Sequence, residues 1–122
     1  MLFRSIHEPY PQRIFEIGKT FLAGRSGVEE NWTIGVALAH KDTNYTEVKS
    51  YLQALLRTLL DLEPETRMAS NPVLVDGKSA EIIVNKENIG IVGEVNQQVI
   101  YNFKLRVPVS AFELNISKVL ES

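Results

Sequence analysis

Three acids in this chain are embedded in apolar surroundings: Glu16 in Phe15-Glu16-Ile17, Glu94 in Gly93-Glu94-Val95 and Glu113 in Phe112-Glu113-Leu114. Carboxylates on neighbouring strands can converge on one face of a sheet, where they bind a metal or an amine or move a proton. The plainer reading, and the preferred one, is a sheet with one solvated face and these acids at its polar positions. Other chemistries fare worse. His7 and His40 are the only histidines, neither stands in a motif with Ser or Asp, and cysteine is absent. That disfavours a hydrolytic triad and a tight zinc site alike. Gly90 and Gly93, in Ile89-Gly90-Ile91-Val92-Gly93-Glu94, lack the third glycine and the Lys-Ser/Thr of a phosphate loop. Inside an apolar strand such glycines mark a bulge or the close approach of a neighbour. No catalytic residue, cofactor or metal ligand is therefore expected in this chain.

These residues need elements to position them. Arg13 to Phe21 alternates as a strand, with Phe15, Ile17 and Phe21 on one face, and Gly24 to Asn31 reads as a loop. Trp32 to His40 is a second strand, apolar throughout and so central in a sheet. The period then changes. Val48, Tyr51, Leu52, Leu55, Leu56, Leu59 and Leu60 form one stripe of a helix from Tyr45 to Leu60, capped by Asn44 with Glu47 at the third helical position. Pro64 bars its continuation. Its stripe packs on the sheet by default, yet Leu55, Leu56, Leu59 and Leu60 make it wide enough to serve a partner interface too. Thr66 to Ser70 is a short strand and Asn71 to Ser79 a loop. A hairpin follows from Ala80 to Val95, turning at Asn85 to Asn88, then a short helix from Asn96 to Phe103. Pro108 to Ile116 alternates as a last strand. This order predicts an α+β fold, an antiparallel or mixed sheet with helices on one face, in a single domain over residues 1–122.

Bulk composition agrees. A chain of 122 residues, 44% hydrophobic and 23% charged, suits one globular domain. The net charge is −2 and the 13 Lys and Arg form no stripe, so a direct grip on nucleic acid is not expected. The first eleven residues hold Arg4, Glu8 and two prolines, which fits neither a signal peptide nor a membrane anchor. The Asn-x-Ser/Thr triplets at Asn31, Asn44 and Asn115 then read as chance. Absent cysteine fits a reducing cytoplasm.

From Tyr10-Pro11-Gln12-Arg13-Ile14-Phe15-Glu16-Ile17-Gly18 onward the chain resembles the phenylalanine–tRNA ligase (phenylalanyl-tRNA synthetase) beta subunit of the archaeal and eukaryotic type. The likeness also rests on Tyr45-Thr46-Glu47-Val48-Lys49, Ile89-Gly90-Ile91-Val92-Gly93-Glu94-Val95, Asn102-Phe103 and Val107-Pro108-Val109-Ser110-Ala111-Phe112-Glu113-Leu114. The resemblance implies the later part of a catalytic-like module: the antiparallel sheet of class II aminoacyl-tRNA synthetases without the chemistry. It implies as partners the alpha subunit, which activates phenylalanine with ATP and Mg²⁺, and the remainder of beta, with tRNA touched only indirectly. The class II arginines do not carry over. The final strand reads Val109-Ser110-Ala111-Phe112-Glu113-Leu114-Asn115-Ile116, with no Gly-x-Gly and no Arg, and an acid there repels phosphate. Arg106, just before Pro108, does not match the motif either. By the resemblance, the long motif 1 helix that opens the module in the family is expected to be missing ahead of the first shared strand. Its loss bares part of the sheet and favours self-association of the isolated chain. The alternative function is a stand-alone paralogue that binds a small amine or amino acid through Glu16, Glu94 or Glu113.

Overall fold

The computed structural model describes residues 12–24, 27–68 and 70–121, with side chains for 32–68 and 70–119. His7, the Tyr10-Pro11 start of the resemblance and the side chains of Phe15, Glu16, Ile17 and Phe21 lie outside that set. Six strands form one sheet: β1 (Gln12–Gly24), β2 (Gly27–Ala39), β3 (Glu65–Met68), β4 (Leu74–Val84), β5 (Glu87–Val95) and β6 (Val109–Asn115). Their order across the sheet is β1-β2-β6-β5-β4-β3. Every pairing is antiparallel.

The long helix, α1 (Tyr45–Leu60), forms where its period places it. Asn44 Oδ1 accepts from Glu47 N–H at 2.8 Å and so satisfies one of the orphan donors of the first turn. The helix ends well before Pro64, at Asp61, whose left-handed φ of 52° turns the chain while its N–H bonds Arg57 C=O. Val48, Leu52 and Leu56 have no exposed surface and pack on Ile82, Val92, Phe112 and Leu114. Burial at that level contributes about 1.5–3 kcal/mol per large aliphatic side chain. β2 is central, and its unbroken apolar run serves both faces. Val36 and Leu38 point to α1, while Ala37 and Ala39 join a second core on the opposite face with Leu74, Val95, Val109 and Ala111.

That second core corrects the expectation of helices on one face. The short helix α2 (Gln97–Asn102) places Ile100 in it, so α1 and α2 cover opposite faces of the sheet. Asn96 caps α2, its Oδ1 accepting from Val99 N–H at 3.0 Å. Residues 96–108 thus form an arch between β5 and β6 that folds back over the sheet. A third helix, α3 (Ile116–Glu121), follows β6 and buries Val119 on the α1 side.

Three other boundaries move. β2 begins at Gly27, paired with Gly24, so the loop expected from Gly24 to Asn31 is mostly hairpin. β4 begins at Leu74, paired with Val95, although regular pairing resumes only at Ser79. The β4–β5 turn is two residues long: Asn85 and Lys86, both at positive φ, connect Val84 to its partner Glu87, as the twist of a tight hairpin requires. Beside it β5 bulges, since Ile82 faces Gly90 while Ile83 faces Asn88. The extra residue, Ile89, turns into the α1-side core. Gly90, next to it, lies so close to β6 that a Cβ would come 1.9 Å from Glu113 O, and one on Gly93 would come 2.7 Å from Ser79 Cβ. Both glycines therefore mark close strand approach and not a phosphate cradle.

Candidate functional site

The sheet puts Glu94 and Glu113 on opposite faces. Glu94 shares the α1 face with its partner Ser110. Its Oε2 accepts from Tyr45 N–H at 3.0 Å and its Oε1 lies 3.6 Å from Lys78 Nζ. An acid at the first turn of a helix meets the positive end of the helix dipole, so Glu94 helps hold α1 in place. Glu113 lies on the other face, exposed, and no cation among the described residues pairs with it. The register runs Glu16, Gly35, Glu113, Ile91, Glu81, Arg67 across all six strands, which puts the Glu16 backbone in the Glu113 row. Glu81 in that row is tied to Arg67, with Oε2 2.5 Å from Nη2 and 3.0 Å from Nε. Sequence reading missed this pair, although the alternation of Ala80, Ile82 and Val84 leaves Glu81 on the opposite face.

Under the arch the same face hollows into a cavity of about 410 Å³. Its floor is Ile91, Val95 and Ala111, its walls are Leu74, Val73, Val99 and Phe103, and Asn71 and Glu113 are its polar lining residues. Ala111 is a small residue on a central strand, which leaves room that a leucine would fill. Glu113 lies two residues along β6 from Ala111, about 7 Å by the strand rise, so the carboxylate stands at one end of an apolar chamber. Asn71 Oδ1 is occupied by Val73 N–H at 2.9 Å. A second hollow of about 420 Å³ meets the first at Glu113 and is lined by Thr33, Asn88, Asn115 and Lys118. Lys118 Nζ there donates to Asn88 O at 3.5 Å. Nothing in single-sequence reading could join Asn71, Val99 and Glu113, because the arch brings them together.

His40 does stand near hydroxyls, in an order that cannot perform nucleophilic catalysis. Asp42 N–H donates to His40 Nδ1 at 3.3 Å, which requires a lone pair there and puts the proton on Nε2. That Nε2–H meets Glu47 Oε1 at 2.6 Å. Thr43 Oγ1 donates to the same oxygen at 2.8 Å, and Ser110 Oγ lies 2.6 Å from Thr43 Oγ1, as donor. The carboxylate thus separates imidazole from hydroxyl, whereas a triad needs imidazole between acid and nucleophile. Ser110 is also fully buried. The relay fastens the start of α1 to β6. Among the described residues, no three of His, Asp and Glu gather as metal ligands, and no helix is long and apolar enough to cross a membrane.

The four leucines proposed for an interface divide. Leu56 belongs wholly to the core, and Leu55 and Leu60 pack against its edge. Leu59 is 64% exposed and, with Tyr51, Ala54 and Thr58, borders a hollow of about 290 Å³ over Val36 and Phe112.

Together these features define an α+β domain on one antiparallel sheet, with a ligand-sized cavity on the face opposite its long helix. Comparison with known proteins places that domain. Residues 2–116 match the family model described as the phenylalanyl tRNA synthetase beta chain CLM domain, and the chain belongs to that family. It is 39% identical over 116 residues to the phenylalanine–tRNA ligase beta subunit of Thermococcus kodakarensis, covering 93% of this chain and 20% of that protein. It is 34% identical over 122 residues to that of Archaeoglobus fulgidus, covering 100% of this chain and 21% of the relative. The Pyrococcus horikoshii subunit is 40% identical over 116 residues, covering 93% and 21%. The chain therefore spans about a fifth of the length of the curated relatives it matches.

Proposed function

We propose that this chain acts as a non-catalytic, class II synthetase-like module of a phenylalanine–tRNA ligase beta subunit. In this reading it works in the cytoplasm and supports the alpha subunit during aminoacylation of phenylalanine tRNA. ATP and Mg²⁺ act at the alpha subunit. The family match supports the assignment, and one observation on the sheet carries the word non-catalytic. Strand β6, at the centre of the sheet, presents Glu113 on the face opposite α1. Adenylate formation develops negative charge on phosphate and needs fixed cations aimed at it; a carboxylate at that station opposes it. Contact with alpha is assigned to the exposed apolar surface of α1, around Tyr51 and Leu59.

The test is co-purification of the tagged chain with an alpha subunit, followed by aminoacylation with and without the chain. The expected result is a stable complex and no ATP binding by the isolated chain. A folded chain that ignores alpha, or that binds ATP and forms an adenylate alone, overturns the reading.

A further inference from the structure

We infer that the cavity beneath the arch is a binding site for a small amine: an ammonium group on an apolar body, with Glu113 as its counter-ion. This site does not rest on the subunit reading, since it lies on the face opposite α1. The volume, about 410 Å³, falls in the range of small-molecule sites, which are apolar chambers with a few placed polar groups. The chamber has that character. Ile91, Val99, Phe103 and Ala111 offer hydrocarbon and ring surface, and Glu113 supplies the single charge among the described lining residues. Two other acids among the described residues are accounted for differently: Glu81 is neutralised by Arg67, and Glu94 faces α1. Among the described lining residues, Glu113 alone keeps an unneutralised carboxylate over the cavity.

The same inventory separates an amine from an amino acid. An amino acid brings its own carboxylate, which needs a cation or convergent N–H donors. The described lining residues supply no Lys or Arg, and Asn71, its oxygen held by Val73 N–H, offers only a single neutral amide NH2 in place of a cation or convergent donors. Lys118 belongs to the adjoining hollow, where its ammonium lies on the Asn88 carbonyl. A zwitterion would set its carboxylate against apolar wall or beside Glu113, and both are unfavourable. A monocation satisfies the charge at the mouth and leaves its body to the walls.

The experiment uses the intact chain and three probes that share one ring: benzylamine, benzyl alcohol and benzoate. Backbone N–H chemical shifts are followed by NMR through each titration. Benzylamine should bind with a millimolar Kd, as suits a ligand of its size, moving the resonances of Ile91, Val99, Ala111 and Glu113. Benzyl alcohol should bind about threefold to fivefold more weakly, the scale of one exposed charge pair, and benzoate not at all. Glu113→Gln should remove the advantage of the amine and leave the alcohol unchanged, a pattern a merely unfolded variant cannot give. The proposal fails if the alcohol or benzoate binds as well as the amine, or if Glu113→Gln leaves the preference intact. Shifts that map to Tyr51 and Leu59, or no shifts at millimolar probe, refute it equally.

Discussion

Replacing Gly90 with alanine adds one methyl group where β5 and β6 approach closely. That carbon would fall 1.9 Å from Glu113 O, 3.0 Å from Glu113 C and 3.1 Å from Leu114 Cα, all of them backbone atoms that no rotamer change can move. Relief to an ordinary contact of about 3.5 Å needs β5 and β6 to part by roughly 1.5 Å. Ladder bonds near 2.9 Å would then stretch beyond hydrogen-bonding range. Two lost rungs cost about 2 kcal/mol, and repacking adds about 1–3 kcal/mol. The lower backbone entropy of the unfolded alanine chain offsets about 0.4–1 kcal/mol. The net loss is about 3 kcal/mol, or roughly 12 °C in Tm for a domain of this size. Urea unfolding followed by circular dichroism measures it, with Gly77→Ala as the control. Gly77 has open space around it but a φ of 82°, so alanine there should cost only about 1–2 kcal/mol of left-handed strain. A Gly90→Ala loss below about 1 kcal/mol at an unchanged m-value would refute the close approach of the two strands.

Four further substitutions have expected outcomes. Leu52→Ala, at a side chain with no exposed surface, should lose about 3 kcal/mol in the same titration. Leu59→Ala, 64% exposed, should stay within about 0.5 kcal/mol; equal losses would mean the face of α1 is misassigned. Lys86→Gly, at a φ of 67°, should raise stability by about 1 kcal/mol, and a loss would count against the two-residue turn. Hydrogen bonding to Arg57 lowers the Glu63 pKa from its ordinary value. Its stabilisation is therefore present above the unfolded pKa and disappears as pH falls through the folded one. Glu63→Gln should then weaken the chain slightly at neutral pH and not at acid pH. Because the pair is fully exposed, added salt should erase even that difference; a salt-insensitive effect would sink the assignment.

Legibility in the sequence followed the strength of each local signal. The sixteen residues of α1 repeat their period over four turns and carry an N-cap, so the helix and its start were readable, while its end at the left-handed Asp61 falls ahead of the Pro64 stop signal. β2 was readable as central because its Val36-Ala37-Leu38-Ala39 run is apolar in both phases. α3 has only six residues, too few for a helical period to separate from the β6 alternation before it. The hairpin arms before Asn31 and from Leu74 onward were obscured by glycines and acids that look like loop composition. There cross-strand partners, and not local preference, fix the extended backbone. Which face α2 covers depends on how residues 96–108 fold back, and the α2 apolar residues Val99 and Ile100 are the same for either face. Of the site, the acids were visible as residue types. The separation of Glu94 from Glu113, the neutralisation of Glu81 and the cavity arise only from register.

The strand order has a consequence for how the chain reaches its native state. β3, β4, β5 and β6 follow one another across the sheet as they do along the chain, and β1 and β2 form a hairpin of their own. One seam, β2 against β6, joins these two blocks, and its partners are separated along the chain by α1 and everything through α2. Each block can assemble from nearby residues, while the seam must close the longest loop before any rung rewards it. Closing that seam, from Thr33 against Asn115 to Ala39 against Val109, is therefore the step expected to limit the rate of folding.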